Sequence, residues 1–396
     1  MNHTFDVQPG DPLADSPERA ELRRLIRKLI EDVSPDERTN ELDQRETFDE
    51  LLYSKLAGLG LLGIDAPEEL GGSGDVRDQL VVVEELAKGP TSMAAFMISQ
   101  FAVVQVLAGF GRTPQAREVL EALVAGRTKV SFALSEPDGG TDVARVMKTR
   151  ADRTASGGFV LRGQKTWTSG AAEAEWLVVL ARSSEIERSP VEGITMFLVP
   201  TSLPGIEIRA IDTFGIHSLS TCDVFLDGVQ VGEDAILGDL DRGMRQVFAT
   251  VNREGLNAAA ATLGVGMGAL ELAVGHAKER LVFGKPIGSF QVPQHWMVDA
   301  AVQLEAARSL MWRAAEIEVA GGNADSLASM AKLLASDAAV EISLKGMQLM
   351  GGTGYTRGSA MQRLFRDGRL WSFSPLNNEM VRNRLGEGWL GLPRSY

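Results

Sequence analysis

The sequence predicts an α+β chain in three parts: a helical N-terminal domain, a middle antiparallel β domain and a C-terminal bundle of long helices. Three observations carry this. Apolar residues recur at three-to-four spacing from Ser16 to about Arg127. Short β-rich runs replace them from Lys129 to about Gly238, and long helical patterns return after Asp239. The corresponding boundaries are 1–15 for a flexible N-terminus, 16–128 for the helical domain, 129–240 for the β domain and 241–396 for the bundle.

The first helix is predicted in SPERAELRRLIRKLIEDV, where Pro17 stands early enough for a helix to tolerate it. DQLVVVEELAKG and SMAAFMISQFAVVQVLAGFG continue the helical pattern, punctuated by Gly and Pro. VSFAL, GGFVLRGQKTWTSG, EWLVVLAR, GITMFLVP, GIEIRAI and CDVFLDGVQV read as strands of a compact barrel or sandwich. Helices are predicted over 243–281, 293–320 and 325–350, with a shorter one near the end, in an up-and-down arrangement. Within the first of these, NREGLNAAAATLGVGMGAL carries Glu254 near its start and then runs sixteen residues without a charge. A solvated helix would carry charge on its outer face, so this one is read as buried on most sides. Its Ala and Gly residues admit a close neighbour. Glu254 itself reads as a first-turn acid complementing the helix dipole, or as a functional carboxylate.

Composition excludes several classes. Forty basic against fifty-three acidic residues give a net charge of −13, which disfavours nucleic acid as a partner while leaving phosphate-bearing small ligands open. A single cysteine, Cys222, rules out an internal disulfide and fits a reducing cytoplasm, and the polar, acidic N-terminus has no apolar signal core. The uncharged run after Glu254 holds Asn257 and several glycines and reads as a packed helix, with no membrane span expected. His3, His217, His276 and His295 show no ligand spacing, so no metal is expected, and no G-x-S-x-G supports a serine triad.

Four stretches carry candidate chemistry. SEPDGGTD (135–142) follows a strand, and its consecutive glycines suit either a plain turn or a loop whose backbone amides face a ligand. In GQKTWTSG (163–170) a tryptophan flanked by hydroxyls is either core packing or one wall of an aromatic ligand site. ERLVFGKPIGSFQ (279–291) turns after a long helix, with Arg280 solvated or available to a phosphate. MGGTGYTRG (350–358) follows a helix, so it fails as a Rossmann loop and reads as a capping turn or a nest of amides.

In this order and spacing, FALSEPDGGTD, KTWTSG, GIHSLSTCDVFLDGVQV, RLVFGKPIGSFQ, and QLMGGTGYTRG with LFRDGR resemble the acyl-CoA dehydrogenase family of flavoproteins, from about residue 16 to about 385. The resemblance implies a helical N-terminal domain, a middle antiparallel β-barrel and a C-terminal four-helix bundle, with FAD as cofactor. It places Phe132, Leu134, Ser135, Gly140 and Thr141 along the isoalloxazine and Trp167 against the flavin ring, with Thr168 beside it. Ser169 corresponds to the hydroxyl that donates to flavin N5, commonly a threonine in the family. Arg280, Phe283 and Gln291 correspond to residues on the cofactor's diphosphate and adenine half. Gln348, Gly351 and Gly352 resemble the segment that reaches a neighbouring subunit's FAD, so a homodimer or homotetramer is expected. Asn377 and Glu379 complete the implied cofactor set, while Ser135, Thr141 and Arg253 are the implied substrate contacts.

The family's commonest base lies about eight residues after an arginine–aspartate pair. Counting on from Arg366 and Asp367, that place is taken by Pro375, which has no titratable group. A minority of the family, including the isovaleryl-CoA and long-chain enzymes, carries its base at the start of the buried helix. There it precedes the helix glycine by ten residues, and that glycine precedes the arginine by sixteen. Glu254, Gly264 and Arg280 have that spacing, although Gly255 departs from the arginine of those relatives. The resemblance thus implies dehydrogenation of an acyl thioester on CoA or acyl carrier protein, with Glu254 removing the α-proton and electron-transfer flavoprotein or O2 as acceptor. SFSPLNN and the tail GLPRSY resemble dehydrogenases of bacterial secondary metabolism. A flavin monooxygenase on the same fold and a catalytically silent FAD-binding subunit are the alternatives.

Overall fold

A computed structural model describes residues 15–155, 157–186, 189–248 and 251–394, the side chains of 251 and 252 excepted. The N-terminal segment expected to be flexible lies, apart from Asp15, outside the described residues. In chain order the elements are α1 (Pro17–Val33), α2 (Asp36–Gln44), α3 (Glu50–Gly58), α4 (Val76–Ala87), α5 (Thr91–Phe110) and α6 (Pro114–Val124). Then come β1 (Val130–Ala133), α7 (Val143–Val146), β2 (Arg150–Arg153), β3 (Phe159–Ser169), β4 (Trp176–Arg182), β5 (Ile194–Pro200), β6 (Ile206–Ala210), β7 (Thr221–Val231) and β8 (Ile236–Leu237). The remainder is α8 (Gly243–Phe248), α9 (Val251–Glu279), β9 (Leu281–Val282), β10 (Lys285–Pro286), α10 (Gln291–Val319), α11 (Asp325–Met350), α12 (Ala360–Leu370) and α13 (Asn378–Gly388). The helix expected over 243–281 is thus described as α8 and α9, with residues 249 and 250 outside the described residues.

The chain packs as two compact units. Among the described residues one comprises those within 41–74 and 95–254, the other those within 15–40, 75–94 and 255–394. The first holds an eight-stranded sheet in the order β6-β7-β3-β2-β4-β5-β8, with β1 also on β4. Most pairs are antiparallel, but β1 and β2 run parallel to β4, through Val130 on Trp176 and Arg150 on Arg182. The domain is the antiparallel one expected from the sequence, with these two short parallel pairings added to it. The loop and short helix between β1 and β2 interrupt that side of β4, so two short segments pair with it in succession. The run WLVVLA in β4 is apolar at every position because both faces are covered. Val178 and Leu180 join Met196, Leu198 and the helix residues Val103, Leu107 and Leu123, whereas Leu177, Val179 and Ala181 pack with Leu161, Phe197 and Val224.

The second unit is built around α9. Its glycines mark where neighbours come closest. A Cβ at Gly264 would stand 2.2 Å from the Glu84 carbonyl oxygen, and one at Gly268 2.5 Å from that of Lys88. On another side, a Cβ at Gly266 would meet a Leu304 methyl at 2.6 Å. Gly346 of α11 approaches Ala273, and Gly368 of α12 approaches Val265. Four helices therefore close around α9, which is why its middle carries no charge. α4 is fixed in turn by buried charge. Glu84 accepts from Arg308 at 2.7 Å and Glu85 from Arg27 at 2.8 Å, with Arg23 and Lys88 beside them. Burial alone would push both carboxyls up, but these cations hold them below the usual carboxylate range. α5 and α9 are long and apolar enough to cross a membrane, and both are mostly buried within the fold.

Candidate functional site

The loop after β1 is clasped from below. Glu136, 4% exposed, accepts from Lys165 Nζ at 2.7 Å and from the backbone N–H groups of Lys148 and Thr149 at 2.6 and 3.0 Å. Lys165 also donates to the Leu134 carbonyl over 3.1 Å. Burial pulls the Lys165 ammonium down to about 8 against the opposing pull of Glu136. Glu136 lies below the usual carboxylate range, because Lys165 and the donors outweigh its burial. The start of the loop is thereby tied to β3 through Lys165, and to the residues just before β2 through the Lys148 and Thr149 N–H groups. Phe132 and Leu134 pack partly into the apolar cluster beneath, and Ser135 accepts the Thr166 N–H at 2.9 Å. Gly140 and Thr141 are exposed, and a Cβ at Gly140 would meet nothing within 4 Å.

β3 is irregular where it passes this loop. Its register with β7 shifts between Lys165 and Thr168, and Trp167 takes φ 57° and is 60% exposed. A left-handed conformation at a bulky residue costs about 1–3 kcal/mol, and such strain persists where the surroundings impose it. Thr168 is buried with an Oγ1 that has no hydrogen-bond partner among the described residues. Ser169 is half-buried, and its carbonyl accepts from Ser131 Oγ at 3.0 Å.

Glu254 lies in the first turn of α9. Some of the residue's surface is accessible, yet its carboxyl is desolvated, and burial pushes its pKa up to about 7. Among the described residues no hydrogen bond or ion pair offsets that cost. Its neighbour Arg253 has a partner of its own. Its guanidinium pairs with Asp65 at 2.9 Å, and Asp65 also accepts from Gln105 at 3.1 Å. Burial raises Asp65 more than Arg253 lowers it. Arg253, expected on the substrate, pairs with this carboxylate while its side chain stays 40% exposed.

The remaining implied residues belong to the other unit. Arg280 is exposed just after α9. Phe283 and Gly284 turn the β9–β10 hairpin with φ 52° and 80°, as a two-residue primed turn requires, and the Phe283 ring is 92% exposed. Gln291 opens α10, Gln348 lies in the last turn of α11, and both are exposed. Gly351, with φ 57°, ends α11 by donating to the Met347 carbonyl, and Gly352 follows it on the surface. Asn377 caps α13, its Oδ1 accepting from Met380 N at 2.8 Å, and Glu379 is exposed in the first turn. Sequence reasoning missed Lys332, which donates to the Leu376 carbonyl at 2.7 Å and to Asn378 Oδ1 at 2.8 Å. It pins the turn that carries Pro375, and burial pulls its ammonium down to about 8. A lysine on the small-residue face MAKLLASDAA was the available signal.

Three family models cover this architecture: the acyl-CoA dehydrogenase N-terminal domain over residues 16–127, the middle domain over 131–229 and the C-terminal domain over 241–390. The chain belongs to the acyl-CoA dehydrogenase family, and it is accordingly an oxidoreductase with FAD as its cofactor. It is 30% identical over 385 residues to the acyl-CoA dehydrogenase FadE12 of Mycobacterium tuberculosis, covering 96% of this chain and 98% of that one. To the human mitochondrial short-chain specific acyl-CoA dehydrogenase it is 33% identical over 345 residues, covering 86% and 83% respectively. The structure of butyryl-CoA dehydrogenase from Megasphaera elsdenii superposes with a TM-score of 0.89 at 28% identity, covering 95% and 99%.

The residues present fit the cofactor. Trp167 offers an exposed ring at a bulge, Thr168 Oγ1 is a buried hydroxyl awaiting a partner, and Gly140 leaves bare backbone. Together they supply a stacking surface, a polar contact and room for close approach.

Proposed function

We propose that the chain is an acyl thioester α,β-dehydrogenase, with Glu254 as the general base and a thioester on CoA or acyl carrier protein as substrate. The observation that carries this reading is the place of the Glu254 carboxyl in the first turn of an apolar helix, with no hydrogen-bond or ion-pair partner among the described residues, where burial pushes its pKa up to about 7. A base near the working pH is partly ionised and still basic enough to remove the α-proton. When bound, FAD supplies the acceptor for the hydride equivalent from the β-carbon. Lys165 and Glu136 hold the loop from Leu134 to Thr141 in place, and the Trp167 ring and the Thr168 and Ser169 hydroxyls bind the cofactor's ring system. The exposure of Gln348, Gly351 and Gly352 supports their serving the FAD of a second copy, in a dimer or tetramer, and that of Arg280, Phe283 and Gln291 supports their meeting the cofactor's diphosphate and adenine half. Electrons then leave to electron-transfer flavoprotein or O2.

Pro375 at the family's usual base position favours a second reading, a flavin monooxygenase that needs no base. Anaerobic mixing of the FAD-loaded protein with short acyl thioesters separates the two. Bleaching of the oxidised flavin band is expected. A flavin that stays oxidised with every thioester, yet is reduced by a nicotinamide donor and then consumes O2 with an organic substrate, would favour the monooxygenase.

A further inference from the structure

Glu254 is preceded in the chain by a cation, and that cation is drawn onto a buried acid. Arg253 Nη1 donates to Asp65 Oδ2 over 2.9 Å, and Gln105 Nε2 donates to the same oxygen over 3.1 Å. Asp65, its side chain 5% exposed, stands just after the short helical turn Leu61–Gly63, and Gln105 lies on α5. All four residues belong to the unit that holds the sheet. Three elements thus converge on one carboxylate oxygen at the start of α9. Burial pushes the Asp65 carboxyl up more than Arg253 lowers it, and its Oδ1 is buried with no hydrogen-bond partner among the described residues. Such a pair contributes little to stability, since an apolar side chain of similar volume often does as well.

Its effect on the neighbouring acid is larger. A general base must keep its affinity for a proton, and a nearby cation weakens that affinity by favouring the ionised form. At an effective dielectric of about 20, a unit charge about 10 Å away moves a pKa on the order of one unit. With Arg253 on Asp65, burial is the sole cause of the raised Glu254 pKa, and no charged group among the described residues around it works against burial. We propose that Asp65 is a positioning residue for the base: it holds and neutralises Arg253, so that the adjacent cation does not strip Glu254 of its basicity. The proposal rests on the dehydrogenase reading above for the role of Glu254, but not for the arrangement of charge.

The test follows the pH dependence of anaerobic flavin reduction by a short acyl thioester in the FAD-loaded protein. The wild-type midpoint is expected at about 7. Asp65→Asn keeps the side chain's shape and uncovers the Arg253 charge, so its midpoint should fall by about one unit and its limiting rate should drop with it. Adding Arg253→Gln removes the uncovered charge and should return the midpoint to about 7, which a merely mechanical anchor would not do. A midpoint unmoved in Asp65→Asn, or one that stays low in the double variant, overturns the proposal. Where Asp65→Asn fails to fold, Arg253→Gln alone decides: its midpoint should stay or rise, and a fall overturns the proposal. Flavin left oxidised by every thioester would overturn the dehydrogenase reading instead. The charge is then read from the Tm gap between Glu254→Gln and its parent at pH 8.5, which should shrink when both carry Asp65→Asn; an unchanged gap overturns the role of Asp65.

Discussion

Glu254→Gln is expected to make the protein inactive and more stable at once. Glutamine keeps the shape of the side chain and removes only its charge. The carboxyl's pKa lies at about 7 in the folded chain against an ordinary 4.5, so the folded state holds its proton more tightly than the unfolded state. Stability on this account is therefore lost as pH rises from about 4.5 through 7, and the loss is complete above 7. At 1.36 kcal/mol per pH unit, the move from 4.5 to about 7 is worth about 3 kcal/mol. The variant avoids that cost. Thermal unfolding of the flavin-loaded protein at pH 5 and pH 8.5 measures it, with wild type and variant compared at each pH. The Tm of Glu254→Gln should exceed wild type by a few degrees at pH 8.5 and by little at pH 5. A variant no more stable than wild type at pH 8.5, or a gap equal at both values, would refute the desolvated carboxylate.

Three further outcomes follow from the same geometry. The rate of flavin reduction by a thioester should rise with pH through about 7, since the ionised Glu254 carboxylate takes the proton; a pH-independent rate would speak against it. Lys165→Met removes the clasp on Glu136 and should cost about 3–5 kcal/mol, the penalty for leaving a buried charge without its partner. FAD binding by the apoprotein should weaken with it, as titration of flavin fluorescence will read. Gly264→Ala places a methyl 2.2 Å from a backbone carbonyl that cannot rotate away, and should lower stability by about 1–3 kcal/mol or more, seen as a drop in Tm.

The helices and most strands were legible because each is written in local periodicity. WLVVLA announces a strand covered on both faces, and the charge-free run after Glu254 announces a helix enclosed by others. The parallel pairings of β1 and β2 with β4 were not legible, since pairing direction depends on where the intervening loop sends the chain. The candidate flavin segments were located by their resemblance to the family's, which does not say what holds them. Glu136 and Lys165 are twenty-nine residues apart, and nothing local in either marks the other. The left-handed backbone at Trp167 comes from a register shift between β3 and β7, a property of two strands together. Arg253 reads as available from sequence, and its engagement by Asp65 depends on a contact across 188 positions. Periodicity records burial, whereas the partner of a buried charge is a tertiary fact.

The central claim is that the acid at position 254 starts the reaction. Rapid anaerobic mixing of a reducing thioester with flavin-loaded wild type and Glu254→Gln tests it most directly. The variant is expected to bind FAD as wild type does and to reduce it at least a hundred-fold more slowly, as loss of a general base requires. Flavin reduction at the wild-type rate in that variant would contradict the account.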